Sequence, residues 1–123
     1  MTQDLLQRLQ NCRDEASNHL ENELLPFWVN RCRDDEWGGY LTPFDQDGNF
    51  SGEDEKSLIA QSRTIYTFSS AHRAGYGNGK LGKLAKHGVY FLLHRMWDSE
   101  FGGFYWMVNR KGDVTNTQKI LYG

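Results

Sequence analysis

Leu5, Leu6, Leu9, Cys12, Ala16, Leu20, Leu24 and Phe27/Trp28 recur at steps of three and four along the first part of the chain. That spacing gathers apolar side chains on one stripe of an amphipathic helix. Pro26 falls inside the run and either kinks the helix or ends its regular part, because proline has no N–H for the carbonyl one turn back. A second stripe, Leu58, Ile59, Ser62, Ile65, Tyr66 and Ser69, predicts a helix from about Lys56 to His72. A third helix is predicted from about Lys80 to Met96, with Leu81, Leu84, Ala85, Val89, Phe91, Leu92 and Met96 on its inner face. Gly75, Gly77 and Gly79 separate the last two helices, where glycine permits termination and tight turning.

Between the first two helices the pattern changes. Asp34-Asp35-Glu36-Trp37-Gly38-Gly39-Tyr40 leads into Phe44-Asp45-Gln46-Asp47-Gly48-Asn49-Phe50. An Asp-Gly pair between aromatic residues is a strong hairpin signal. After the third helix the same text returns as Asp98-Ser99-Glu100-Phe101-Gly102-Gly103-Phe104-Tyr105-Trp106, followed by Asn109-Arg110-Lys111-Gly112-Asp113. Phe27, Arg31, Asp34, Glu36, Gly38, Gly39 and Gly48 each find an identical residue 64 positions on, in Phe91, Arg95, Asp98, Glu100, Gly102, Gly103 and Gly112. The unit is a helix, an acidic turn, Gly-Gly, a hairpin, and then a helix led by Lys56 or, in the second copy, by Lys119. Such units stack so that each covers its neighbour's apolar face, which predicts an all-α architecture with short β-hairpins at one rim. Gln118-Lys119-Ile120-Leu121-Tyr122-Gly123 reads as the first turn of a further helix. So short a helix is not stable alone, and residues 1–123 are therefore expected to be a single partial domain, truncated at the C-terminus.

Composition adds exclusions. Aromatic residues make up 14% of the chain, which argues against disorder. Lys and Arg number 14 against 16 Asp and Glu, a net charge of -2 with no basic block, so neither nucleic acid nor an anionic membrane is an expected partner. The opening residues lack a secretory pattern, and no apolar run approaches the ~20 residues needed to cross a bilayer. Cys12 and Cys32 match no metal or redox spacing and read as reduced, partly buried thiols. A cytoplasmic protein is expected.

Four segments in order, Leu24-Leu25-Pro26-Phe27-Trp28, Asp35-Glu36-Trp37-Gly38-Gly39-Tyr40, Gln61 through His72, and Glu100 through Trp106, resemble the N-terminal part of the N-acylglucosamine 2-epimerase superfamily, its cellobiose 2-epimerase and mannose isomerase members above all. The resemblance runs from about Leu24 to Gly123. It implies the first hairpins of an (α/α)6 barrel and a sugar 2-epimerase or aldose–ketose isomerase working through a cis-enediolate. It also implies a small-molecule sugar substrate and no metal or nicotinamide cofactor. The superfamily's substrate-contacting arginine matches Arg63, and the tyrosine of its Lys-x-x-Tyr-Gly segment matches Tyr122. Its paired catalytic histidines have no counterpart in this chain and are expected downstream, so the isolated chain is expected to be inactive, and poorly soluble or self-associating.

Plainer readings stand beside these. Arg63 is either a sugar or enediolate contact or an ion-paired or solvated surface arginine; Tyr122 either donates to a sugar hydroxyl, or positions the ring oxygen for opening, or packs on the hairpin. Trp37, Tyr40, Trp97, Phe104 and Trp106 could stack on sugar, but repeated positions favour scaffold roles. Repetition likewise favours structural roles for Asp34, Glu36, Asp98 and Glu100, in helix-end turns or pairing with Arg31 and Arg95. Asp45-Gln46-Asp47-Gly48 lacks the closing glutamate of a calcium loop, since Lys56 stands at its twelfth position. His19, His72, His87 and His94 read as surface or capping residues. Two other function classes remain open: a glycoside-processing enzyme on the same barrel, or a non-catalytic helical-repeat assembly protein.

Overall fold

A computed structural model describes residues 2–122. The first helix, α1, covers Gln3–His19 and is capped by Thr2, whose hydroxyl accepts the Leu5 N–H at 3.3 Å. It runs on through a wide π-helical turn, Leu20–Leu24, into α2, Leu25–Arg31. Pro26 thus does not end the helix: it stands in the first turn of α2, and the regular α-helix is interrupted just before it, at Leu20–Leu24. The widened turn just before it, closed by Leu25 N–H to the Leu20 carbonyl, lets the chain continue past a residue with no N–H. Helix α3 spans Leu58–Arg73, capped by Ser57, and α4 spans Lys80–Phe91, extended by a second π turn to Met96.

Lys56 does not lead α3. It lies in strand β1, Glu55–Ser57, which pairs antiparallel with β2, Met107–Asn109; β2 pairs in turn with β3, Val114–Asn116, across a register shift at Met107/Val108. The segment entering α3 is thereby sewn to the second hairpin, and the two repeats share a sheet. The expected helix at the end of the chain is absent from the described residues: 117–120 are irregular, 121–122 form a turn, and Gly123 lies outside them.

The repeat holds at the level of individual hydrogen bonds. Asp34 N–H bonds the Gly39 carbonyl at 3.1 Å and Asp98 N–H the Gly103 carbonyl at 2.9 Å. Leu41 N–H meets Cys32 O as Tyr105 N–H meets Met96 O. The bridges Arg33↔Tyr40 and Trp97↔Phe104 correspond, as do the turns closed by Gly48 N–H to Asp45 O and Gly112 N–H to Asn109 O. Gly38 and Gly39 have φ of 88° and 67°, and Gly102 and Gly103 have 76° and 74°, left-handed values that favour glycine and explain why the pair recurs.

Helices α3 and α4 pack over the main core of Leu25, Cys32, Tyr40, Phe68, Ala71, Leu81, Leu84 and Ala85. Tyr40 is its polar pivot. Its hydroxyl donates to the Leu84 carbonyl at 2.5 Å, and its backbone N–H and C=O both bond the buried Gln61 amide, at 2.9 and 2.8 Å. A smaller core of Leu58, Phe91, Met96 and Val108 underlies the second hairpin. By contrast α1 buries no residue, and Leu5, Leu6 and Leu9 are exposed. No described helix is long and apolar enough to cross a membrane.

Candidate functional site

The acidic turns are built first, because the site residues hang from them. Asp34 has a fully buried side chain. Its Oδ1 accepts the N–H groups of Glu36 and Trp37, and its Oδ2 accepts Lys56 Nζ at 2.8 Å; Arg110 grips both oxygens, at 2.9 and 3.2 Å. Lys56, only 3% exposed, spends its remaining protons on the carbonyls of Gly38 and Arg110, at 2.7 and 2.9 Å. Burial opposes charge on Asp34, but the bonds from Arg110, Lys56 and Trp37 outweigh it and hold the carboxyl well below the usual carboxylate range. On Lys56 burial is the largest influence and lowers its pKa, with Asp34 acting against it.

The second turn repeats this arrangement. Asp98 Oδ1 accepts Glu100 and Phe101 N–H, and Lys119 Nζ donates to Asp98 Oδ2 and to the Gly102 carbonyl, both at 2.7 Å. The Lys119 bond, aided by the Phe101 N–H, holds the Asp98 carboxyl down to about 2.

Of the two structural roles expected for these carboxylates, Asp34 and Asp98 take the helix-end turn, and pairing with Arg31 and Arg95 is overturned. Lysines and an arginine from distant segments take that role, while Arg31 stacks on Phe27 at 4.6 Å and the Arg95 stem packs near Gly112. The turns themselves are structural, as their repetition indicates. Glu36 is exposed and 3.6 Å from Arg110; Glu100 is exposed too.

Arg63 projects from α3, exposed, and forms part of the wall of a cleft of about 270 Å3. The rest of that wall is Leu20, Leu24, Leu25, Trp28, Thr64, Thr67 and Phe68. The threonine hydroxyls donate their protons to the carbonyls of Ala60 and Arg63, so the guanidinium is the group in this wall with N–H donors to spare. Tyr122 is brought to it from 59 residues away: Arg63 Nη2 donates to the Tyr122 hydroxyl oxygen, and the guanidinium carbon lies 5.8 Å from the ring centre. The two residues singled out in the sequence therefore meet. With its oxygen accepting from Arg63, the Tyr122 hydroxyl keeps its own proton to donate elsewhere.

Of the stacking candidates none lines this cleft. Tyr40 is core, Trp97 packs edge-on against Phe104 at 5.1 Å, and Trp37 lies under Lys111. The aromatic residues that do line it are Trp28, expected on the first helix's apolar stripe, and the buried Phe68 of α3. No histidine lines it either. His87 is not a surface cap: it is half-buried and its Nε2 lies 2.9 Å from the Gly39 carbonyl, tying α4 to the first Gly-Gly turn. His19 pairs with Glu23, and His94 stacks on Tyr90.

Cys12 is exposed, whereas Cys32 is fully buried, and burial pushes its thiol up to about 12. Asp45, in the calcium-like sequence, accepts the N–H groups of Asp47 and Asn49. Among the described residues no group of three His, Cys, Asp or Glu side chains is placed to hold a metal ion.

Comparison with known proteins points to carbohydrate epimerases and isomerases. A cellobiose 2-epimerase of Bacteroides fragilis is 31% identical over 116 residues, covering 89% of this chain and 28% of the relative. A mannose-6-phosphate isomerase of Rhizobium meliloti is 29% identical over 109 residues, covering 88% and 27%. The structure of cellobiose 2-epimerase from Spirochaeta thermophila superposes with a TM-score of 0.84 at 26% identity, over 94% of this chain and 28% of that one. The profile of the N-acylglucosamine 2-epimerase (GlcNAc 2-epimerase) family matches residues 38–123, and the chain belongs to that family. It spans about a quarter of the length of these relatives.

Proposed function

We propose that this chain is the opening part of a sugar 2-epimerase or aldose–ketose isomerase in which Arg63 and Tyr122 contact the sugar. One observation carries the reading: a guanidinium and a phenol from distant segments converge beside an apolar, Trp28-lined cleft. The chemistry suits them. A base removes the C2 proton of the ring-opened aldose, the electron pair forms the C1=C2 double bond, and the carbonyl oxygen becomes an enediolate oxyanion. Returning a proton to the other face of C2 gives the epimer; protonating C1, with the O2 proton passing to O1 as the C2=O bond forms, gives the ketose. A guanidinium at the oxyanion stabilises it more than it stabilises the neutral sugar. Tyr122 donates its free proton to a sugar oxygen, and the acid and base are histidines supplied by sequence beyond this chain.

In this reading the repeats are the first hairpins of an (α/α)6 barrel acting in the cytoplasm. The exposed leucines of α1 then meet later helices, and bare they drive self-association. A polypeptide continuing this chain to the length of its relatives is expected to incorporate solvent deuterium at C2 of its sugar. Arg63→Ala should lower kcat/KM by roughly 10²–10³-fold, the usual loss for an oxyanion donor. No exchange into mannose, glucose, cellobiose or N-acylmannosamine would refute the reading.

A further inference from the structure

We infer that Lys119 is a positioning residue for Tyr122: its clamp on the second acidic turn fixes where the Tyr122 hydroxyl meets Arg63. The inference rests on the reading of Arg63 and Tyr122 as sugar contacts, and it is tested without sugar so that the two fail separately.

The repeat supplies the first argument. The same three-part clamp, a lysine ammonium on an aspartate Oδ2 and on a Gly-Gly carbonyl, occurs twice. Lys56 stands two residues before α3, the helix that carries Arg63, and Lys119 stands three residues before Tyr122. Each member of the pair thus follows one clamp.

The second argument is how little else holds the described residues between β3 and Tyr122. Beyond β3, the Gln118 N–H bonds the Asn116 side chain, Ile120 is exposed, and Leu121 is fully exposed, at 104%. Among the described residues 117–121, Lys119 alone forms an ion pair. Its stem runs past Gly103, where an added Cβ would lie 3.7 Å from Lys119 Cδ, and its ammonium sits 5.1 Å from the centre of the Tyr105 ring. Three residues reach at most ~10 Å when extended. Anchoring Lys119 therefore confines the Tyr122 hydroxyl to the neighbourhood of Arg63, whereas a free segment would spread it over a wide volume at an entropic cost to contact.

The difference between the clamps fits this role. Lys56 is buried and doubly engaged with carbonyls, as a scaffold pair is; Lys119 is 37% exposed and its aspartate has no arginine partner. The second clamp can therefore be altered without opening the core.

The test is tyrosine Cζ NMR, without sugar, on a family-length polypeptide containing this chain with labelled tyrosine, Tyr122 being assigned by Tyr122→Phe. Arg63→Lys first defines the part of the Tyr122 shift that depends on the guanidinium. Lys119→Met keeps the aliphatic stem and removes the ammonium; it is expected to abolish that part, and Lys119→Arg to restore it. Lys111→Ala, which removes a cation from the same hairpin, should leave it unchanged. The Tyr40 and Tyr76 signals report that the fold is intact. A Tyr122 shift indifferent to Lys119→Met, or one that never depended on Arg63, would overturn the inference. The sugar-contact reading stands or falls independently, by exchange at C2.

Discussion

Replacing Asp34 by Asn tests the account of what holds the repeats together. The substitution keeps size and shape but removes the charge that faces Lys56 at 2.8 Å and Arg110 at 2.9 Å. Lys56 is left as a buried ammonium with only the Gly38 and Arg110 carbonyls, and breaking a buried pair this way costs about 3–5 kcal/mol. Arg110, 31% exposed, regains water and adds little, about 0–1 kcal/mol. Lys56→Met is milder. Asp34 keeps Arg110 and two backbone N–H groups, so the loss is the two carbonyls' partner, about 1–3 kcal/mol. The double variant holds no unpaired buried cation and should cost less than the sum of the single ones. Urea unfolding followed by circular dichroism measures all four proteins. With net stabilities of ~5–15 kcal/mol typical for a domain, Asp34→Asn should shift the midpoint strongly or abolish the transition. A loss below about 1 kcal/mol, or strict additivity in the double variant, would refute the clamp.

Further outcomes are expected. Asp34 and Asp98 both titrate below the ordinary carboxylate range when folded, so the stability they confer is complete above that range. It is lost as pH falls toward about 2; acid unfolding curves of Asp98→Asn should be flatter in that window than the parent's. An added Cβ at Gly88 would fall on the Tyr40 ring and hydroxyl, so Gly88→Ala should cost about 1–3 kcal/mol and lower Tm. An alkylating reagent should label Cys12 rapidly and reach Cys32 only on unfolding, because burial excludes the reagent and raises the thiol pKa to about 12.

Much of this was legible along the chain. Apolar spacing found three helices and placed α4 from Lys80. The offset of 64 positions between the Gly-Gly turns proved to be an offset between hydrogen bonds. The misses share one cause: they concern partners far apart in sequence. Nothing in local spacing tells that Lys56 enters a strand and reaches back 22 residues to Asp34, or that Arg110 reaches back 76. Arg31 and Arg95 were nearer and therefore looked the natural partners. Trp28 sat on a stripe that read as plain core, and only the approach of α3 leaves it facing a cleft. Residues 118–122 have helical composition, yet the described ones form no helix, and Lys119 among them reaches back 21 residues to Asp98.

The central claim, that the clamped repeats present Arg63 and Tyr122 to an open-chain sugar, is tested most directly by a crystal structure with a bound alditol. Such a molecule mimics the ring-opened substrate and has no carbonyl to react. In a family-length polypeptide containing this chain, the alditol is expected beside Trp28, with Arg63 and Tyr122 both donating to its terminal oxygens. An alditol bound elsewhere, with Arg63 and Tyr122 still bonded only to each other, would contradict it.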